Sequence, residues 1–368
     1  MRTENRGRSR RWLRMVGGMS RSLSSPRAVS GRRRSLLKAG AAAALWPGIS
    51  IAGAPVTLGQ GEFRYRQVSG WGNAGPDSPV KNCHGIVCTR DGNIILLTDH
   101  TKNNFIVYSP AGKVIHKWGT AWPGAHGLSI VTEGDREVLY FTDLSRHRVF
   151  KSTLSGELLG EWGWPEQTGS YTKEDEYKPS WTIHAPDGSF FVLDGYGLDY
   201  IIHYGADGKF VRQFGGAGGG IVHWGPHGGM LDDRNPANPG LLIAMSDQQH
   251  LLQLGFAGEK RGLTPLPGGN PRQIRRHGGN YFIAHLGDNW PKDQNCRGFV
   301  SVLDGNLKVI SNIAGTAPCY SDSGILQPMK HDQEVFQHPH DLCVDKDSSL
   351  YVAQFASGNT YPLKFERI

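Results

Sequence analysis

The chain has little of what would make it helical, membrane-embedded or disulfide-stapled. No stretch approaches the roughly 18 unbroken apolar residues of a membrane-spanning helix, so no stable membrane insertion of the mature chain is expected. Ala- and Leu-rich runs are scarce beyond residue 60. Cysteine numbers 5 in 368 residues, an odd count without CxxC spacing, which argues against a disulfide scaffold or a cysteine-based zinc site. Cys83, Cys88 and Cys343 read as buried thiols on inner strands, while Cys296 and Cys319, in loops, are a possible pair in an oxidising compartment. Acidic residues are nearly missing from residues 1–54, where Glu4 faces twelve Lys and Arg. That segment holds a charge of +11 and leaves −4 for the rest of a chain whose total is +7. The basic balance therefore does not describe a nucleic-acid-binding domain, and no nucleic-acid partner is expected.

Residues 1–54 instead have the layout of an export signal. Arg33-Arg34-Ser35-Leu36-Leu37-Lys38 precedes the apolar run Ala39–Leu45 and the small residues Ala52-Gly53-Ala54. Paired arginines before Leu-Leu-Lys resemble the twin-arginine motif, whose machinery moves folded proteins. The expectation is a leader over 1–54 and a periplasmic or secreted domain over 55–368.

Glycine, by contrast, is abundant: 50 residues, about twice the usual share. It falls in a recurring phrase. Strands end in aromatic-Gly pairs at Trp71-Gly72, Trp118-Gly119, Trp162-Gly163 and Phe214-Gly215. A loop follows each, then an apolar strand opening at His84, His126, Ser180 or His227, with looser matches at Arg272 and His340. The intervals between these openings are 42, 54, 47, 45 and 68 residues, near one four-stranded blade apiece. Six units predict an all-β, six-bladed β-propeller. Its last blade lacks a fourth strand, which residues 62–71 would supply. Asp99, Asp143, Asp194 and Asp247 recur at one repeat position and read as turn-satisfying groups rather than catalytic acids.

The innermost strand of a propeller blade lines the central channel, so the six opening residues gather at one mouth. Four are histidines, against 15 histidines in the whole chain. Neutral imidazoles converging from separate rigid strands suit a first-row transition metal. Arg272, at a fifth opening, is placed to hold an anionic substrate group. His84 or His338 is a candidate fourth ligand or proton shuttle. Trp181 is either pocket wall or core.

The segments His126-Gly127-Leu128-Ser129-Ile130, Val192-Leu193-Asp194-Gly195-Tyr196, Gly225-Pro226-His227 and Pro339-His340-Asp341 together resemble the peptidyl-α-hydroxyglycine α-amidating lyase family. The stretch Phe282–Val300, with Gly287-Asp288, looks like that family's fifth-blade loop. The resemblance runs over residues 62–368. It implies zinc on His126, His227 and His340, a structural calcium on the carbonyls of Ile86 and Leu128 with the Asp341 carboxylate, and Tyr196 as catalytic base. The chain departs from the pattern in several places. Asp99 and Gln248 stand where the family has arginines, His338 where it has Met, His84 where it has a small residue, and Gly197 where it has Cys. The expected function is metal-dependent, lyase-like cleavage of a C–N or C–O bond at a hydroxyl-bearing carbon of a small hydroxylated or carbonyl substrate. Tyr196, Arg272 and His84 are the expected catalytic groups. The alternative is a non-enzymatic NHL-repeat propeller that binds a protein or glycan at its mouth.

Overall fold

The computed structural model describes residues 56–217, 223–287 and 290–368. The expected export leader and Asp288 lie outside the described residues. Six four-stranded antiparallel sheets form the six blades, each meandering from an inner to an outer strand. Among the described residues, helix is confined to the 3-10 turns Glu166–Thr168 and Glu174–Glu176. The inner strands are Cys83–Cys88, Ala125–Glu133, Trp181–His184, Pro226–Asp232, Pro271–His277 and Pro339–Val344. They are flanked by second strands at Ile94–Thr98, Arg136–Asp143, Phe190–Leu193, Gly240–Met245, Asn280–His285 and Leu350–Gln354. These second strands are almost wholly buried. That explains their continuous β-branched and aromatic composition, since both faces pack against neighbouring blades.

The ring closes as the sequence predicts. Tyr65–Val68 pairs antiparallel with Leu363–Arg367, so blade six takes its outermost strand from the other end of the chain. The aromatic-Gly phrase also finds its cause. The indole N–H groups of Trp71, Trp118 and Trp162 each donate to a turn carbonyl further along the ring: Pro110 at 3.0 Å, Leu154 at 3.2 Å and Gly208 at 2.9 Å. A tryptophan at or just past the end of an outer strand thus packs its ring against the next blade while its polar edge is satisfied. Cys319 is a free, exposed thiol, so the possible bridge to Cys296 is not formed.

Five of the six inner strands carry a β-bulge at their start. Pairing with the second strand slips between Cys83 and Gly85, Ala125 and Leu128, Pro226 and Gly228, Pro271 and Ile274, and Pro339 and Asp341. The residue in or beside each slip is His84, His126, His227, Arg272 or His340. A bulge frees one residue from the strand's alternation and re-aims its side chain. Here it turns five opening residues toward the channel mouth.

Candidate metal centre at the channel mouth

The glycine after three of these residues permits the close approach of neighbouring inner strands. A Cβ on Gly127 would collide with the Ser180 carbonyl, one on Gly228 with the Arg272 carbonyl, and one on Gly85 with the Leu128 side chain. Two of those carbonyls also receive an imidazole. His126 Nδ1 lies 2.9 Å from the Ser180 oxygen and His227 Nδ1 3.1 Å from that of Arg272. His340 Nδ1 lies 2.7 Å from the His84 oxygen. A carbonyl only accepts, so each Nδ1 carries the proton and each Nε2 presents a lone pair. All three rings are nearly fully buried. Burial, together with neighbouring histidines and Arg272, holds them well below the usual imidazole range, hence neutral.

The four histidines form one cluster. Ring centroids lie 4.8 Å apart for His84–His126 and for His126–His340, and 4.9 Å apart for His84–His340, His126–His227 and His227–His340. The set whose nitrogens all fall within 4.8 Å of one another is His84, His126 and His340. His227, expected as a third ligand, has its Nε2 lone pair engaged by the Tyr196 hydroxyl at 2.9 Å. His84, expected among the catalytic groups, stands inside the ligand cluster, with Nε2 3.9 Å from the Asp99 carboxylate. His84 Nδ1 and His126 Nε2 are buried without a hydrogen-bond partner. Buried imidazole nitrogens left without a partner are costly unless something takes them up. A metal ion fits that requirement.

Blade three opens with a serine instead of a histidine. Ser180 Oγ donates to the Pro226 carbonyl of blade four at 2.9 Å, keeping the blade-to-blade contact with a shorter side chain. The space this leaves is taken by Tyr196, from the turn Asp194–Gly197 of the same blade. Its ring packs edge-on against His126 and His227, with centroids 5.1 and 5.4 Å away. Arg272 Nη1 reaches to 3.5 Å from the phenol. Protein packed around the phenol pushes its pKa up, and the guanidinium opposes that shift. The turn itself is held by Asp194, which accepts the N–H groups of Lys178 and Leu198 and the Tyr171 hydroxyl.

A cavity of about 240 Å³ opens over this cluster, lined by Tyr196, His227, Arg272, His340, Trp290 and Phe355 among others. A larger one of about 540 Å³ lies at the far end of the inner strands. The smaller one brings His227 and His340 together with the phenol and the guanidinium, and it is there that chemistry is possible. Phe355 and Trp290 were not foreseen, because each lies beyond a strand end where no repeat position marks it. Asp247 also lines this mouth, exposed, whereas Asp99, Asp143 and Asp194 accept turn N–H groups as expected. His338 gives its Nδ1 proton to the Phe355 carbonyl and packs on Trp290, outside the four-histidine cluster. Trp181 is fully buried, and Gln248 is exposed.

Ile86, Leu128 and Asp341 converge deeper in the channel, but on an arginine. Arg275 Nη2 lies 3.3 Å from the Ile86 oxygen, 3.1 Å from that of Leu128 and 2.6 Å from Asp341 Oδ2. A calcium ion does not fit a space filled by a guanidinium, so the donor set implied by the resemblance is already committed.

No family model matches the chain. Sequence similarity links it to peptidylglycine alpha-amidating monooxygenase of Mus musculus and of Rattus norvegicus, 25% identical over 232 residues in each case. The match spans 62% of this chain but only 22% of those relatives' length. Among solved structures, virginiamycin B lyase from Staphylococcus aureus superposes with a TM-score of 0.53 at 14% identity, covering 83% of this chain and 100% of that one. A protein of unknown function from Bacteroides thetaiotaomicron VPI-5482 gives 0.56 at 13% identity, covering 85% of this chain and 76% of its own. The chain is thus a six-bladed propeller with weak sequence similarity to an amidating enzyme and a histidine cluster able to hold a metal.

Proposed function

We propose that the chain is an exported, zinc-dependent lyase acting at the histidine mouth on a small substrate with a hydroxyl-bearing carbon attached to nitrogen or oxygen. The observation that carries this reading is the meeting of Tyr196, Arg272 and His227 beside His84, His126 and His340, whose ring nitrogens lie within 4.8 Å of one another. The weak similarity to amidating enzymes supports the same chemistry. A metal bound there supplies Lewis acidity, lowering the pKa of a hydroxyl placed against it.

The chain's own residues do the rest. Arg272 favours the phenolate of Tyr196 and pairs with an anionic group on the substrate. The phenolate takes the hydroxyl proton as the carbon–oxygen bond becomes a carbonyl and the C–N or C–O bond breaks. The leaving nitrogen or oxygen keeps the bonding pair and receives that proton back from Tyr196, so no net proton is gained or lost. Trp290 and Phe355 exclude water from one wall. Arg272, reaching in from blade five, provides the cationic group that Asp99 and Gln248 do not.

Metal analysis of the purified chain, with His84, His126, His227 and His340 replaced singly by Ala, tests the centre. One zinc per chain, lost with His126→Ala and with His340→Ala, is the expected result; full retention in either variant removes the assignment. Turnover of a small α-hydroxyglycine compound should fall by at least about 100-fold in Tyr196→Phe while zinc is retained. Equal rates would take Tyr196 out of the reaction, and no turnover by the zinc-loaded chain would favour a non-enzymatic binding propeller.

A further inference from the structure

We infer that Arg275 is the resident cation of the channel, an internal guanidinium that ties the blades together where a bound divalent ion would otherwise be needed. The inference is independent of the proposed reaction. Three oxygens from three blades face one point on the channel axis: Ile86 O from blade one, Leu128 O from blade two and the carboxylate of Asp341 from blade six. Asp341 is fully buried. Two of its contacts are backbone N–H groups, Ile86 at 2.8 Å and Leu342 at 2.8 Å. Those donors favour the charged form but do not neutralise it. A buried carboxylate beside two inward carbonyls is a concentration of negative potential that must be matched by positive charge.

Arg275, from the inner strand of blade five, supplies it. Its Nε donates to Asp341 Oδ1 at 3.0 Å and to the Leu342 carbonyl at 3.1 Å, while Nη2 makes the three contacts already given. The pair is a bidentate fork, the geometry in which a planar guanidinium binds a carboxylate most specifically. The Trp181 ring of blade three lies beneath the guanidinium, 5.1 Å from its carbon, adding a cation–π contact. One side chain therefore joins blade five to blades one, two, three and six. It also stands between the histidine mouth and the larger cavity at the far end, which it helps to line.

A tethered cation has two consequences that a bound ion would not. It cannot dissociate, so the brace is insensitive to calcium concentration and to chelators. It also occupies the oxygens, so the native chain has no vacant hard-cation site there. Replacing Arg275 by Ala should empty the position and expose an oxygen cluster suited to a hard cation, next to the Trp181 indole.

That arrangement gives a spectroscopic test on the full chain. Titration with terbium, exciting tryptophan, should give no calcium-competable sensitised emission in the native chain. Arg275→Ala should give stoichiometric emission, displaced by calcium and abolished by the further change Asp341→Asn. The variant's Tm should fall by roughly 5–10 °C and recover in millimolar calcium, while the native Tm stays flat. One calcium bound per native chain, lost in Asp341→Asn, would overturn the inference, as would an Arg275→Ala variant with native Tm and no calcium response. If that variant does not fold, equilibrium dialysis of the native chain against radioactive calcium still decides, because stoichiometric binding lost on Asp341→Asn contradicts a channel already filled by Arg275.

Discussion

At the scale of single side chains, the mouth is governed by which lone pairs are already committed. His126, His227 and His340 spend their Nδ1 protons on carbonyls of neighbouring blades, so only Nε2 remains for chemistry. In His227 that lone pair holds the Tyr196 hydroxyl. A metal drawing on His227 must take it from the phenol, and the phenol is then free to face a substrate. Burial raises the proton affinity of that phenol, and Arg272 opposes the rise. Because its positive charge favours the phenolate, Arg272→Gln should raise the Tyr196 pKa and move the rising limb of the pH–rate profile to higher pH. The profile of kcat for wild type and variant checks this, and superimposable limbs would leave Arg272 with a role in binding alone.

At the scale of strands, the His-Gly pairs are a single device. In His126-Gly127 and His227-Gly228 the imidazole reaches a neighbouring carbonyl through Nδ1, and the glycine lets the strand carrying that carbonyl come close. Gly127→Ala should therefore cost about 1–3 kcal/mol by overpacking and weaken metal retention, because the Cβ meets the carbonyl that orients His126. Gly305→Ala, whose Cβ meets only the Gly279 oxygen at 3.8 Å, is the control for denaturant unfolding. The same strands show what the sequence made legible. Blade count, second strands, ring closure and the four clustered histidines followed from repeat spacing, because one blade is one unit of hydrophobic alternation. Arg275 was missed for a physical reason. A one-residue slip between Pro271 and Ile274 reverses which side chains of that strand face the axis, and nothing in Arg272-Gln273-Ile274-Arg275 announces it. The engagement of His227 by Tyr196 was equally hidden, since it depends on a loop from another blade.

At the scale of the whole molecule, buried histidines make the propeller acid-sensitive. Burial pulls His184 and His285 down to about 3, against about 6.5 in an unfolded chain. Between those values the unfolded chain binds more protons, so stability is intact above pH 6.5 and declines as pH falls. Each of the two imidazoles should cost roughly 2 kcal/mol between pH 6.5 and pH 5. Calorimetry across that interval should show Tm falling, with a shallower slope in His285→Asn; parallel slopes would mean that His285 is not held neutral.

The pairing of Tyr65–Val68 with Leu363–Arg367 also sets a clock. During synthesis the first of these strands leaves the ribosome roughly 300 residues before its partner. At about 5–20 residues per second it waits some 15–60 s with an unsatisfied edge. Five blades can assemble in that interval, but the ring cannot lock until Leu363–Arg367 has emerged. Locking of the ring thus waits on blade six, and a ribosome stalled within that blade would hold an open arc.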